Sequence, residues 1–366
     1  MHHPRMLPVA LLGAITALAL TVTDLGTLPG GTSSIGWGIN NRGQVVGVSD
    51  GAGFTGHAVR WDDGVAFDLG VLPSGNFSEA RGINGAGQVV GYGDVSGISI
   101  YHAILWENGS TTDLGVLPGT VRSFAFAIND PGQVVGSSSS NDGLFSRATV
   151  WENDFVTDLG ALPGGTLSEA FSINNVGQAV GWSTAASDRF TTHAVLYESG
   201  AVSSLGELPG GNQSIAFGIN DYGQAVGWSG GSSGANDAQA VAFGSEYRNH
   251  VTGGLVTTAA GFTQHAVLWE NGTVTDLGVL PGTSLSVAVG INSSGQIVGY
   301  SYNPGGPLAR AVLWSDGNIY DLGVLPHRTT SQAFAINHGG HVAGVSNANG
   351  LGPAHAALWS KWRLRP

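Results

Sequence analysis

The residues with the clearest chemical potential are carboxylates that return at fixed intervals. Asp-Leu-Gly begins six times, with Ser204-Leu205-Gly206 as a degenerate further copy. The repeated aspartates are Asp24, Asp68, Asp113, Asp158, Asp276 and Asp321. A calcium site needs several oxygen ligands brought together, and one aspartate per repeat does not supply them. We therefore interpret these aspartates as caps of the Leu-Pro-Gly-Gly turn that follows, and predict no metal site.

A second recurring position carries an imidazole or a guanidinium, in the motif His-Ala-x-x-Trp. Its members are His57, His102, Arg147, His193, His265, Arg310 and His355. A ring of imidazoles could bind a metal, but arginine has no acceptor atom to offer one. A hydrogen-bond donor between neighbouring repeats explains both residue types. We therefore predict no metal and no cofactor here.

Catalysis would require acids or histidines that converge on one site. The carboxylates and the arginine that depart most from the repeat are Glu79, Arg81, Glu169 and Glu207. They fall in different repeats and share no motif, so we predict no catalytic residues. The first hypothesis for this chain is therefore a non-catalytic role. A hydrolase or lyase acting on extracellular polysaccharide is the alternative hypothesis, and a structural matrix component is a third.

The elements that position these residues follow from the repeat itself. Successive copies of Asp-Leu-Gly lie 44, 45, 45, 46, 72 and 45 residues apart, and a period of about 45 is typical of propellers and solenoids. Each repeat contains four strand signals: Ser-x-Ala/Gly-x-small-Ile-Asn, Gln-Val-Val-Gly, His-Ala-x-x-Trp, and a strand ending in Asp-Leu-Gly. The first signal ends at Asn40, Asn84, Asn129, Asn174, Asn220, Asn292 and Asn337. A glycine three residues after each asparagine indicates a tight turn.

These signals predict an all-β fold, a seven-bladed β-propeller of four-stranded repeats with the Ser-x-Ala strand innermost. Residues 21–26 form a fourth strand without a third strand before it, and residues 355–359 a third strand without a fourth. Pairing them completes the seventh blade and removes two open edges. An open β-solenoid is the alternative.

The step of 72 residues marks an insertion at about 239–264. Residues 239–243 stand where a third strand is expected, yet residues 265–269 repeat that strand. We interpret the segment as the remnant of an eighth repeat and expect it to bulge from the ring.

Composition and the N-terminus bear on location. A formal net charge of -12 disfavours nucleic acid and anionic lipid as partners. There is no cysteine, and hence no disulfide or thiolate site. Residues 1–19 have the order of a signal peptide, with Arg5, an apolar run from Leu7 and Ala17-Leu18-Ala19; a buried strand or helix is the alternative. We predict a secreted protein, extracellular or periplasmic, with no membrane span and residues 20–366 as one propeller domain.

The combined motifs resemble the HAF-repeat family, predicted bacterial extracellular repeat proteins. Asp-Leu-Gly-x-Leu-Pro-Gly, Gly-Ile-Asn-x-x-Gly-Gln-Val-Val-Gly and His-Ala-x-x-Trp carry the resemblance over nearly all of residues 22–359. The chain departs from the family pattern where Val, Ile or Ala follows His-Ala in place of Phe, and at Arg147 and Arg310. The resemblance implies an exported bacterial protein and no established activity.

Binding residues are expected where the repeat varies, because loops on a rigid scaffold commonly carry function. The loops between second and third strands vary most and share one face with the Leu-Pro-Gly-Gly connections. Their candidate contact residues are Tyr92, Tyr101, Phe145, Asp188, Arg189, Phe190, Tyr247, Arg248 and Tyr302. The repeated tryptophans could stack on sugars, but their fixed places beside hairpin turns favour packing between repeats. We predict a non-catalytic binding module for an extracellular glycan or protein, with solvated loops that have no partner as the alternative.

Overall fold

Seven four-stranded antiparallel sheets form the protein, as the sequence predicts. A computed structural model describes residues 20–95, 100–186, 188–232, 262–304, 309–348 and 353–361. The chain enters through β1 (Leu20–Asp24). Blade 1 is β2 (Ser34–Ile39), β3 (Val45–Gly51), β4 (Phe54–Asp62) and β5 (Val65–Asp68). Blade 2 is β6 (Ser78–Ile83), β7 (Val89–Asp94), β8 (Tyr101–Glu107) and β9 (Ser110–Asp113). Blade 3 is β10 (Arg122–Ile128), β11 (Val134–Ser139), β12 (Ser146–Glu152) and β13 (Phe155–Gly160).

The remaining blades repeat this order. Blade 4 is β14 (Ser168–Ile173), β15 (Ala179–Ala185), β16 (Asp188–Glu198) and β17 (Ala201–Ser204). Blade 5 is β18 (Gln213–Ile219), β19 (Ala225–Ser232), β20 (Phe262–Glu270) and β21 (Thr273–Gly278). Blade 6 is β22 (Leu285–Ile291), β23 (Ile297–Tyr302), β24 (Arg310–Ser315) and β25 (Asn318–Asp321). Blade 7 is β26 (Thr330–Ile336), β27 (Val342–Asn347), β28 (His355–Lys361) and, as its fourth strand, β1.

The predicted closure of the ring is confirmed. β1 pairs antiparallel with β28, so that Val22 faces Trp359. The Nδ1 atom of His355 lies 2.6 Å from the Oδ2 atom of Asp24 across the same strands. The two ends of the described chain therefore complete one blade, and neither strand is left with an unpaired inner edge.

Serines at the start of the inner strands join each blade to the one before it. The Ser78 hydroxyl accepts a hydrogen bond from the Ala58 amide at 2.9 Å and donates one to the Gly70 carbonyl at 2.8 Å. Equivalent bonds recur around the ring, and in blade 5 the hydroxyl of Ser214 donates to the Glu207 carboxylate instead. These hydroxyls satisfy strand-edge groups that are buried between blades, which explains why serine recurs at this position.

Small residues let the first two strands of each blade approach closely. A Cβ atom on Gly47 would overlap the carbonyl oxygen of Ile35 on the neighbouring strand. Each inner strand also contains a β-bulge, which in β2 lies between Gly36 and Gly38 and makes Trp37 the extra residue.

Two sequence predictions fall largely outside the described residues. The predicted signal peptide, residues 1–19, lies outside them entirely, and so do residues 239–261 of the predicted insertion. Residues 262–264, which the sequence placed in the insertion, begin β20 and pair with β19. Within the described ranges, no helix has the length and hydropathy that a membrane crossing requires.

Candidate functional site

The ring has two distinct faces. The turn face consists of the turns between first and second strands and the turns between third and fourth strands. In blade 1 the side-chain amide of Gln44 joins these two turns by donating a hydrogen bond to Asp62 Oδ2 at 2.8 Å. On the loop face lie the loops between second and third strands and the connections between blades. The Asp50 carboxylate joins these by accepting from the amides of Thr32 and Ser33 at 2.7 Å.

A ring of asparagines surrounds the axis on the turn face. The side-chain amide of Asn40 donates to the Asn84 carbonyl at 3.1 Å, and the pattern continues until Asn337 donates to the Asn40 carbonyl at 3.0 Å. These asparagines border a cup of about 180 Å³, which also has the isoleucine before each of them in its lining. Because the last asparagine reaches the first, this ring of hydrogen bonds is closed around all seven blades.

Bulged residues of the inner strands contact one another near the axis. The rings of Phe126 and Phe171 lie 5.4 Å apart, as do those of Phe171 and Phe217. On the opposite side, the Trp37 ring lies 4.5 Å from Phe334, and the Arg81 guanidinium lies 3.9 Å above Trp37. Large side chains thus make the contacts between neighbouring blades at this level of the inner strands.

Arg81 belongs to a buried polar cluster with two other residues of blade 2. Its Nε atom lies 2.8 Å from Oε1 of Glu79, with both side chains less than a tenth exposed. The Tyr92 hydroxyl donates to Glu79 Oε2 at 3.0 Å. Burial, reinforced by the charge of Glu79, raises the pKa of Tyr92 above its ordinary value. The cluster therefore holds a compensated charge pair and a neutral phenol.

Glu169 occupies a separate environment. Its side chain is buried, and burial raises the pKa of its carboxyl to about 8. Hydrogen bonds from Trp182, Ser146 and Ser137 lower the pKa, but their effect is smaller than that of burial. A carboxyl with this pKa is largely protonated at neutral pH. Such a group has the protonation state of a general acid, but its burial keeps it away from solvent.

Glu207 has a third kind of environment. Its Oε1 atom lies 2.9 Å from Nδ1 of His193 and accepts a hydrogen bond from the Ser214 hydroxyl. The hydrogen bond with His193 holds the pKa of the Glu207 carboxyl below its ordinary value. The four residues that the sequence offered as catalytic candidates are therefore bound to three different sets of partners. Within the described residues no group of three or more acids, histidines or cysteines is placed to hold a metal ion.

The repeated histidine or arginine pairs with a carboxylate inside its own blade. His57 lies 2.9 Å from Asp68, His102 lies 2.7 Å from Asp113, and Arg310 replaces the imidazole at 2.8 Å from Asp321. The pair joins the third and fourth strands, whereas the sequence interpretation placed this donor between repeats. The other aspartate oxygen caps the turn, as when Asp68 Oδ1 accepts from the Gly70 amide at 2.8 Å.

Two of the predicted contact residues are buried. Tyr92 is 6% exposed and packs edge-on against Phe124 and Tyr101, with ring centroids 5.0 and 5.9 Å away. Tyr302 is 8% exposed, and its hydroxyl donates to Gln264 of the preceding blade at 2.8 Å. Both lie within strands, because the second strands extend past the Gln-Val-Val-Gly motif and leave shorter loops.

The other predicted contact residues are placed differently. Phe145 is 38% exposed on the loop face, with the Arg147 guanidinium 5.3 Å from its ring. Asp188, Arg189 and Phe190 begin β16, and their side chains lie outside the description. Tyr247 and Arg248 also lie outside the described residues.

The structure adds two residues that the sequence reasoning missed. Leu144, next to Phe145, is 78% exposed, and Val121 on the adjoining connection between blades is 41% exposed. The backbone amide of Val121 donates a hydrogen bond to the Ser139 carbonyl at 3.0 Å. We call Val121, Leu144 and Phe145 the blade 3 patch. The other repeats have a polar residue in place of Val121: Thr32, Asn76, Thr166, Asn212, Ser284 and Thr329. Aligning the repeats column by column would have exposed this exception.

The repeated tryptophans pack in the core and are unavailable for stacking on sugars. Each is at most 4% exposed: Trp61, Trp106, Trp151, Trp269, Trp314 and Trp359. Trp61 of blade 1, for example, packs with Ala343 and Ala356 of blade 7.

Comparison with known proteins supports the fold and goes no further. The chain matches no protein-family model and no curated protein sequence. Among solved structures it is similar to the β-propeller domain of the Trilobed protease from Pyrococcus furiosus, described as having an open velcro topology. That likeness has a TM-score of 0.51 and 9% identity over 89% of this chain and 95% of the other.

Two further structures are similar over most of this chain. YCF48, solved with D1 peptide, gives a TM-score of 0.53 and 9% identity over 96% of this chain and 98% of the other. The acylaminoacyl peptidase of Pyrococcus horikoshii gives 0.50 and 11% over 91% of this chain and 52% of the other, so this chain spans about half of that peptidase. At such identities the likeness shows a β-propeller fold and nothing about activity.

Proposed function

We propose that the protein is an exported, non-catalytic binding module of the HAF-repeat kind that contacts an extracellular glycan or protein through its loop face. The blade 3 patch is the observation that carries this proposal. It exposes Leu144, Phe145 and Val121 together at the one repeat where the loop face lacks its usual polar residue. Exposed apolar groups beside arginine suit a contact surface.

The surroundings of the patch support this role. Arg122 donates to the Asn141 side chain at 2.9 Å, which links the blade connection to the neighbouring loop. Arg147 lies over Phe145 and is itself held 3.6 Å from Asp158. The patch is therefore presented by side chains that are already positioned, which reduces the entropy lost on binding.

A catalytic role receives less support. Glu169 has the raised pKa expected of a general acid, but it is 5% exposed, and the side chains that hydrogen-bond to it are Trp182, Ser146 and Ser137. Glu79 is neutralised by Arg81. The enzymes among the similar structures share only the fold with this chain.

Binding of labelled residues 20–366 to a broad glycan panel and to whole bacterial cells tests the proposal. We expect saturable binding that is lost in the variant Leu144→Ser/Phe145→Ser. Phe155→Ser is the matched control, because Phe155 is 73% exposed on the same blade but on an outer strand. Binding that Phe155→Ser weakens as much as the patch variant, or no binding to any target, would contradict the proposal.

A further inference from the structure

The turn face carries a large share of the chain's carboxylates. The six turns between third and fourth strands, counted with the last residue of each third strand, contain eight carboxylates, and the turns between first and second strands add Asp130 and Asp221. None of these ten groups is buried. Arg42 is the one arginine in these thirteen turns, which contain no lysine. The chain has 25 acidic residues in all, so two fifths of them gather on this face.

Large apolar side chains stand among these carboxylates on two neighbouring blades. Tyr222 of blade 5 is 76% exposed and Val176 of blade 4 is 68% exposed. They occupy the same place in their turns, where blades 1 and 6 have Arg42 and Ser294. The turn does not require an exposed aromatic or aliphatic side chain at this position, because the other repeats form the same turn with small or polar residues.

Hydrogen bonds fix the carboxylates beside these apolar groups. The Asn175 amide donates to Asp221 Oδ1 at 2.9 Å, and its side-chain nitrogen donates to Oδ2 at 3.1 Å. The Asp130 amide donates to Asn175 Oδ1 at 2.9 Å. Asp130, Asn175 and Asp221 thus form a connected rim along three blades at the border of the axial cup.

We propose that the turn face is a second interaction surface, which docks a protein segment carrying lysine or arginine side chains together with an apolar side chain. The carboxylates attract and orient the cationic groups, while Tyr222 and Val176 receive the apolar one. Charge complementarity accelerates encounter and selects the partner, whereas a tyrosine contact is the kind of anchor that dominates affinity. This surface lies opposite the blade 3 patch and is independent of it.

Fluorescence anisotropy with a defined probe tests this proposal. The probe is a short fluorescein-labelled peptide that repeats lysine-lysine-leucine, and its matched controls replace leucine with serine or lysine with glutamate. We expect the lysine-leucine peptide to bind saturably to residues 20–366 and the glutamate peptide not to bind. Affinity should fall as salt rises, because screening weakens exposed charge interactions.

Two variants distinguish binding at the turn face from attraction of the peptide to the overall negative charge of the protein. Val176→Ser/Tyr222→Ser should weaken binding about tenfold, the loss that follows from removing one good apolar anchor. Asp130→Asn/Asp221→Asn should weaken it and flatten its salt dependence. Leu144→Ser/Phe145→Ser, on the loop face, should leave the affinity unchanged, so failure here is distinguishable from failure of the loop-face proposal.

Three outcomes would overturn the inference. If the peptide with serine in place of leucine bound as tightly as the lysine-leucine peptide, binding would depend on net charge alone. The same conclusion would follow if Val176→Ser/Tyr222→Ser left the affinity for the lysine-leucine peptide unchanged. Concentration-dependent dimerisation that this variant abolishes would assign the surface to a second copy of the chain. Unchanged melting temperatures of the variants, expected because all four side chains are exposed, ensure that each result reports on binding.

Discussion

Replacing the buried carboxyl of Glu169 with an amide should change how the stability of the protein depends on pH. Burial raises the pKa of Glu169 from an ordinary value of 4.5 to about 8 in the folded state. Between these values the folded chain holds a proton that the unfolded chain has released. The free energy of unfolding therefore falls as pH rises through this window and is constant above it.

The magnitude follows from the width of the window. Each unit of pKa difference is worth about 1.4 kcal/mol, so the shift corresponds to a loss of up to about 5 kcal/mol between pH 4.5 and 8. Glutamine preserves the size and hydrogen-bonding capacity of the protonated acid but cannot ionise. We expect Glu169→Gln to match the parent near pH 5 and to exceed its stability by several kcal/mol near pH 9.

Denaturant unfolding of both proteins at intervals from pH 5 to 9 measures this difference. Subtracting one curve from the other removes every titration that the two proteins share. Parallel curves would refute the reasoning, because they would mean that Glu169 has the same pKa folded and unfolded. A variant that is less stable at every pH would show instead that the amide does not fit among Trp182, Ser146 and Ser137.

The remaining predictions concern pairing and closure. Glu79→Gln should lower the free energy of unfolding by about 3–5 kcal/mol, because it removes the carboxylate that is paired with the buried Arg81; denaturant unfolding that shows a pH-dependent gain instead would contradict this. Ser78→Ala should cost about 1–3 kcal/mol, since the buried Ala58 amide loses its acceptor, and an unchanged melt would show that the interblade bond is dispensable. Removal of residues 20–26 should lower the melting temperature by many degrees, because β28 loses its partner; a melt equal to that of the parent would rule out β1 as the closing strand.

The fold was predictable because its signals are local and repeated. Alternation in the inner strands, the Asn-x-x-Gly turns and the Asn-Gly or Asp-Gly hairpins each specify a short element, and the turn at Asn108-Gly109 takes the positive φ angles that such a pair favours. The unmatched strands at the two ends then predicted closure. None of these inferences required knowledge of a distant contact.

Contacts between blades were less accessible from the sequence. The alternating pattern did not reveal the bulge at Trp37, because a bulge adds one residue without changing the residue types around it. Periodicity also did not distinguish a His57–Asp68 pair inside a blade from a donor between blades. Tyr92 was assigned to a loop because the strand motif ended before it, although β7 continues through Asp94.

Candidate sites are better identified by departures from the repeat than by the repeat itself. A residue that recurs in all seven blades, such as the asparagine of the axial ring, has the same structural partner each time. Val121 and Tyr222 each stand in a column of mainly polar or small residues, and each is exposed. Because neither side chain has a structural role that recurs in the other blades, the fold does not fix the residue type at these positions, and we infer that contact with a partner does. Their positions on opposite faces of the ring imply that two partners could be bound at once, without competition between them.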